Sequence, residues 1–244
     1  MNVFQLVQKR ILITGASSGI GRATALQLAK QGANLVLTAR NIERLTDTLN
    51  SLPHPERHTL LPTDLTQTAS LKQLVKDLGV LDGIVHAAGI VKPYPIEILS
   101  EKYLHQLHSI NYQAPVLLTS QLLRKRKINK GSSIVFISSI VSEVTYKGGA
   151  IYAGTKAALE AFSQTLALEQ AHKGIRSNCV APGIVETPML QSLDPTYLKS
   201  LKSRYPLGFC QAKDVAHAII FLLSPLSSKI TGTKLIIDGG FCAG

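Results

Sequence analysis

Tyr152 and Lys156 stand four residues apart in IYAGTKAALEAF, and Ser139 lies thirteen residues upstream of the tyrosine. Helical residues at i and i+4 share one face, so this spacing would set an ammonium beside a phenol. A free tyrosine, with a pKa near ~10, is a poor base at neutral pH. A neighbouring cation favours the phenolate, and each pKa unit corresponds to about 1.4 kcal/mol. Proton transfer is the chemistry such a pair could perform. The competing reading is a surface tyrosine and a solvated lysine on an amphipathic helix, because i,i+4 pairs are common.

What favours chemistry lies at the other end of the chain, in ILITGASSGIGRATALQLAKQG from Ile11 to Gly32. The short apolar run Ile11 to Ile13 reads as a buried strand. Ala25, Leu28 and Ala29 recur at helical spacing, and Gly32 supplies a stop. Strand, glycine loop and helix follow one another, the context that a phosphate-binding turn requires. Gly15 allows a sharp exit from the strand, Gly19 admits a pyrophosphate close to backbone, and Gly21 lets the helix pack on the sheet. The helix N-terminus offers free N–H groups and partial positive charge, and Ser17 and Ser18 add hydroxyl donors. Taken alone, the glycine pattern is also compatible with a plain structural turn.

The elements that would position these residues alternate along the chain. Strands are predicted at 34–38, 58–61, 81–86, 133–138, 176–180 and 234–238, in addition to 11–13. Helices are predicted at 42–49, 70–78, 101–110, 115–127 and 150–172. This alternation predicts an α/β fold: one doubly wound, mainly parallel sheet of about seven strands, with helices on both faces and right-handed crossovers. Ligands bind such sheets at the carboxyl ends of the strands, where Gly15, Gly89, Ser139 and Pro182 all fall.

Order and spacing together resemble the short-chain dehydrogenase/reductase family over essentially all 244 residues. Thr14-Gly15-Ala16-Ser17-Ser18-Gly19-Ile20-Gly21 is similar to its TGxxxGxG cofactor loop. Tyr152 and Lys156 match its YxxxK signature, with Ser139 at the expected upstream position and Asn111 at that of its catalytic asparagine. Ala88-Gly89 closes a segment similar to its NNAG motif, and Pro182-Gly183 with Thr187 resembles the PGxxxT motif beside the nicotinamide. ITGTKLIIDGG is similar to the closing strand and loop. The resemblance implies a single Rossmann-type domain over 1–244 and hydride exchange between a nicotinamide cofactor and a carbonyl or secondary alcohol.

It also implies roles. Tyr152 would exchange the proton, Ser139 would hold the substrate oxygen, and Lys156 would perturb Tyr152 and hold the nicotinamide ribose. Asn111 would bind a water linking Lys156 to solvent. Asp64 matches an adenine-contacting aspartate, with a turn or helix-capping role as its competitor. At the end of the second strand, where a carboxylate would select NAD(H), the chain has Ala39-Arg40. A guanidinium fork suits a 2′-phosphate, so NADP(H) is the expected cofactor, with NAD(H) as the lesser possibility. Ser18 departs from the basic residue that many NADP-preferring relatives carry there.

Other departures bear on substrate. His86-Ala87 replaces two asparagines, and His86 is expected to be structural. Phe209-Cys210 replaces an arginine and a glycine, inside a stretch, 188–212, expected to form the substrate lid with a short helix at 195–203. The leading specific expectation is a 3-oxoacyl thioester reductase. A sugar, steroid or polyol enzyme and a non-catalytic cofactor sensor are the alternatives.

Composition agrees with one globular domain: 45% hydrophobic and 17% charged residues do not indicate disorder. No apolar run approaches the ~20 residues needed to span a bilayer. Three cysteines, Cys179, Cys210 and Cys242, lack metal-ligand spacing, so no metal is expected and reduced thiols in a cytoplasm are the simplest account. The net charge is +11, and Arg124-Lys125-Arg126-Lys127 with Lys130 concentrates it. That segment could be a solvated connection or a docking site for an acidic acyl carrier protein. Nucleic acid and membrane are not expected partners. The resemblance implies a homotetramer or homodimer, with Ala157, Ala158 and Ala161 permitting close helix approach.

Overall fold

The computed structural model describes residues 3–192 and 195–243. In the strands, successive side chains point to opposite faces, and each face acquires its own apolar layer. Ile11, Ile13, Leu35, Leu37, Val85 and Val135 enter one core, whereas Leu12, Val36, Ile84, Ile134 and Phe136 enter the other. Such two-sided burial is what a wholly parallel sheet requires.

The strands are β1 (Arg10–Thr14), β2 (Asn34–Thr38), β3 (Thr59–Leu60), β4 (Leu81–His86), β5 (Ile128–Ile137), β6 (Arg176–Pro182), β7 (Val185–Glu186), β8 (Cys210–Gln211) and β9 (Lys234–Ile237). Seven form one parallel sheet in the order β3-β2-β1-β4-β5-β6-β9, and β7 pairs with β8 apart from it. The helices are α1 (Gly19–Lys30), α2 (Ile42–Asn50), α3 (Thr68–Asp77), α4 (Glu101–His108), α5 (Ala114–Arg124), α6 (Ala150–Gln170), α7 (Pro195–Leu201) and α8 (Ala212–Leu223). One face of the sheet carries α1, α2 and α8; the other carries α3, α5 and α6.

Three differences from the expected elements have clear causes. The chain builds α8 where no element was predicted. Its N-terminus is a capping box, with Gln211 N–H donating to Asp214 Oδ2 at 2.7 Å, and Val215, Ile219, Ile220 and Leu222 bury its inner face. Strand β5 begins five residues early, at Ile128, which pairs with Leu81 ahead of a bulge whose exposed Asn129 and Lys130 carry no apolar signal. Helix α5 stops at Arg124 rather than continuing to Lys127, since Arg126 turns left-handed (φ 54°).

That turn takes Lys127 out of the basic run, while Arg124, Lys125, Arg126 and Lys130 stay exposed. Lys127 Nζ donates to the Leu78 and Lys76 carbonyls at the end of α3, so it is a helix-terminating group rather than a free charge. The run also sits at the start of β5, while Ser139 lies just past its end. The bulge after Ile128 shortens the strand, so about 25 Å separate Ile128 from Ser139.

Between α4 and α5, residues Ser109–Gln113 form a π-helical turn. Pro115 explains it: proline has no N–H for the carbonyl four residues back, which is that of Asn111. Among the described residues no helix is long and apolar enough to cross a membrane.

Candidate active site

Strand order reverses at β1, whose neighbours are β2 and β4, and a crevice opens at their carboxyl ends. A cavity of about 730 Å³ occupies it. Gly15, Ser17, Ser18, Gly19, Ile20, Arg40, Ala88, Gly89, Ser139, Tyr152, Lys156, Pro182, Gly183 and Thr187 all line it. Gly21, Asp64 and Asn111 do not, and each has a different place.

Gly21 supports the loop from behind. A Cβ there would lie 2.3 Å from the Gly15 carbonyl oxygen. Gly21→Ala is expected to destabilise the chain by about 3 kcal/mol and to weaken cofactor binding, as read by thermal unfolding and fluorescence titration. Gly15 itself is left-handed (φ 67°), and a Cβ on it would meet the Ala87 carbonyl and Ala88 backbone at 2.8 Å. Thr14 Oγ1 accepts from both Ala87 N–H and Ala88 N–H at 3.1 Å, tying β1 to the exit of β4 where asparagines are missing. His86 faces away, its Nε2 2.9 Å from Thr119 Oγ1 and its ring stacked on Phe136. Burial lowers its pKa to about 3, so it stays neutral.

Helix α1 points its N-terminus into the cavity. Ser18 is its N-cap in extended conformation, its hydroxyl is not spent on capping, and the first turn holds no acidic residue. Free N–H groups, an available hydroxyl and glycine-lined backbone fit a pyrophosphate. At the far rim, Arg40 is joined by Arg44, which sequence reading missed. The signal was present: Asn41 caps α2 by accepting from Arg44 N–H at 2.8 Å, and this turn brings the second arginine beside the first. Asp64 instead braces a turn, accepting from Thr66 N–H at 3.0 Å and Thr66 Oγ1 at 2.7 Å, while its neighbours Thr63 and Leu65 line the cavity.

The catalytic candidates converge at the other end. Lys156 is buried, and its Nζ donates to the Ile137 carbonyl at 2.7 Å and lies 5.5 Å from the Tyr152 ring centroid. Burial lowers its pKa to about 8, against the opposing influence of Cys179 and Glu160. For Tyr152, burial and then Tyr146 raise the pKa well above its ordinary value, and a hydrogen bond with Ser139 lowers it. The expectation that Lys156 draws the phenol toward ionisation is therefore not how the balance falls. Tyr152 rests as a protonated donor beside a cation.

Asn111 is buried behind Gly89, where a Cβ would come within 3.1 Å of its Oδ1. Its Oδ1 accepts from Ile90 N–H and its Nδ2 donates to the Ile90 carbonyl, both at 2.9 Å. The carboxamide thus fixes the Gly89–Ile90 backbone and keeps little capacity for a water. Its main-chain oxygen is the one deprived of an α-helical donor by Pro115.

Pro188–Ser192, α7 and Lys202–Arg204 make the expected lid helical, apart from Leu193 and Asp194, which lie outside the described residues. Its base is pinned. Leu207 N–H donates to Gly239 at 3.0 Å, Cys210 N–H to Ile184 at 3.0 Å, and Tyr205 packs on Phe209 and Phe241.

A family model described as Enoyl-(Acyl carrier protein) reductase matches residues 15–242. A 3-oxoacyl-[acyl-carrier-protein] reductase from Rickettsia bellii is 35% identical over 94% of this chain and 95% of its own. An L-xylulose reductase from Mus musculus is 34% identical over 98% of each. A crystal structure of a short-chain dehydrogenase/reductase, glucose/ribitol dehydrogenase, from Brucella melitensis superposes with a TM-score of 0.92 at 32% identity, covering 98% of both chains. The chain belongs to the short-chain dehydrogenase/reductase family and is an NAD(P)-dependent oxidoreductase that interconverts carbonyl and CH–OH groups.

Proposed function

We propose that the chain is an NADPH-dependent reductase of 3-oxoacyl thioesters, with Tyr152, Ser139, Lys156 and Asn111 as its catalytic set. The observation that carries this reading is the apolar part of the cavity wall. Val91, Ile184, Met189 and Leu190 line that part, and none of the described lining residues is Asp or Glu. Such a wall suits an acyl chain, whereas a sugar needs polar partners for each hydroxyl it buries.

When bound, the nicotinamide supplies hydride to the carbonyl carbon. Tyr152 donates its proton to the carbonyl oxygen: burial keeps it protonated at neutral pH, and the positive charge of Lys156 offsets the acidity that burial takes away. Ser139 donates a hydrogen bond to the same oxygen and holds it in register. Lys156 keeps a positive charge beside the phenolate left behind and holds the nicotinamide ribose. A water on the Asn111 main-chain oxygen returns the proton from solvent. Asn111 otherwise acts by fixing Gly89 and Ile90. Ser17, Ser18, Gly19 and Ile20 hold the pyrophosphate; Ala88, Pro182, Gly183 and Thr187 line the nicotinamide end.

Arg40 and Arg44 on the rim favour a 2′-phosphate over a bare ribose. Arg40→Asp is expected to lower kcat/KM for NADPH about 100-fold while leaving NADH nearly unchanged. Equal losses with both cofactors would remove the basis for NADPH preference. Activity should also follow Lys156. The kcat/KM for cofactor is expected to be level below pH 8 and to fall about tenfold per unit above it, as the ammonium is lost. A limb beginning only above pH 10 would contradict that assignment.

The substrate assignment is tested by comparing kcat/KM for acetoacetyl-CoA and for xylulose under NADPH. A preference of about 100-fold or more for the thioester is expected; the reverse order would favour a sugar reductase, as in the Mus musculus relative. A carrier-protein partner docked on 124–130 would sit about 25 Å from Ser139; in this reading that segment is a solvated connection. Self-association is assigned to α6, whose outer face exposes Ala157, Ala161 and Leu168, with Gln164 and Thr165 between the last two. Residues 188–212 are assigned the lid, with Tyr205 to Cys210 as its pinned base.

A further inference from the structure

We propose that Glu160 is a positioning residue for this reaction: it clamps both flanks of Ser139 to the helix that carries Tyr152 and Lys156. The inference rests on the catalytic reading above. Glu160 lies one helical turn beyond Lys156 on α6 and on the same face. Its Oε1 accepts from Ser138 Oγ at 2.5 Å and from Ser142 Oγ at 2.8 Å. Those two serines bracket the Ser139 segment, and one carboxylate oxygen holds both.

The other oxygen is anchored in turn. Glu160 Oε2 accepts from Lys234 Nζ at 3.2 Å, and Lys234 also reaches Glu143 Oε1 at 2.5 Å. Lys234 belongs to β9 and Glu143 follows Ser142, so the network links α6, the Ser139 loop and the edge strand. The Glu160 side chain is 15% exposed and that of Lys234 18%, whereas that of Glu143 is 56% exposed. The inner pair is therefore sheltered from the solvent screening that weakens the outer one. Both Ser139 flanks need this support, because the side-chain bonds of Ser139 are long: its Oγ reaches the Pro182 carbonyl and Val141 N–H at 3.4 Å each, whereas its main-chain carbonyl accepts from Ser142 Oγ at 2.9 Å. A hydroxyl that must meet a substrate oxygen and Tyr152 together depends on its loop being held.

The same carboxylate bears on Lys156. The groups facing that ammonium are Tyr152 and Glu160 from α6, Cys179 from β6 and the Ile137 carbonyl from β5. Of these, Cys179 and then the Glu160 carboxylate favour the charged lysine, and Glu160 is the one that also holds the Ser139 flanks. A residue with a merely structural role would not move the lysine's titration.

The test compares wild type, Glu160→Ala, Glu160→Gln and Tyr152→Phe. In Glu160→Ala, kcat for acetoacetyl-CoA reduction is expected to fall about 30-fold with KM for NADPH within about twofold. Amide hydrogen exchange across 138–144 is expected to rise in the same variant. In Glu160→Gln, which can still accept from the serines, kcat is expected to fall less, while the alkaline limb near pH 8 moves down by about half a unit. Unchanged exchange across 138–144 in Glu160→Ala would overturn the clamp, as would wild-type kcat with an unmoved limb. Turnover surviving in Tyr152→Phe would instead overturn the catalytic reading itself, so the two failures are distinct.

Discussion

Replacing Tyr152 by phenylalanine is expected to lower turnover by about a thousandfold while leaving cofactor affinity within about twofold. The expectation follows from what the substitution removes. The ring keeps its place on α6 and its packing, so cavity shape and the Lys156 neighbourhood persist. What is lost is the phenol hydroxyl that hydrogen-bonds to Ser139 and stands protonated at neutral pH. Water cannot take its place readily, because the side chain is largely enclosed between Ser139, Lys156 and Tyr146. Isothermal titration with NADPH and steady-state reduction of acetoacetyl-CoA separate the two effects. Loss of binding along with turnover would mean that the tyrosine supports the site mechanically rather than chemically.

Replacing Lys156 by methionine should produce opposite effects on activity and stability. Its folded pKa, about 8, lies below the ordinary 10.5. Between those values the folded chain binds fewer protons than the unfolded one, so stability rises with pH across the window and is lowest below it. At pH 7 the charged lysine therefore costs folding up to about 3 kcal/mol. Methionine fills the same volume without charge, but it abandons the Ile137 carbonyl, which returns about 1–2 kcal/mol of that gain. A net stabilisation of about 1–2 kcal/mol at pH 7 is expected, shrinking toward pH 10.5, with turnover down at least about 100-fold. Denaturant midpoints at pH 7 and pH 10 measure the first effect. A destabilised variant at pH 7 would show that Lys156 is held by its bonds more than it is opposed by burial.

The parts of this molecule that depend on neighbouring residues in sequence were readable before the fold was known. Gly15, Gly19 and Gly21 announce themselves because a tight turn and close backbone approach leave no other residue types. Asn34–Thr38 and Leu81–His86 could be placed to the residue, since compact apolar runs ended by turn residues have few other solutions. Tyr152 and Lys156 could be paired from helical spacing alone.

What could not be read depends on closure of the chain in space. Helix α8 is apolar on most sides because it is packed between the sheet and α1, so no clean period stands out, and only Gln211 and Asp214 mark its start. Arg44 joins Arg40 through a cap geometry rather than through a motif. Lys127 looks like part of a charged patch until its contacts with the end of α3 are seen. The balance of burial over charge that keeps Tyr152 protonated needs three dimensions. So does the Glu160 clamp, whose partners are 18, 22 and 74 residues away.

The central claim is that this cavity reduces a thioester-borne ketone by proton donation from Tyr152. Its most direct test is product formation: the wild-type chain, NADPH and acetoacetyl-CoA, with 3-hydroxybutyryl-CoA and NADP quantified together. The account predicts hydroxy product in equal amount to NADP formed, and almost none from Tyr152→Phe. NADPH that binds but yields no hydroxy product from acetoacetyl-CoA would contradict it.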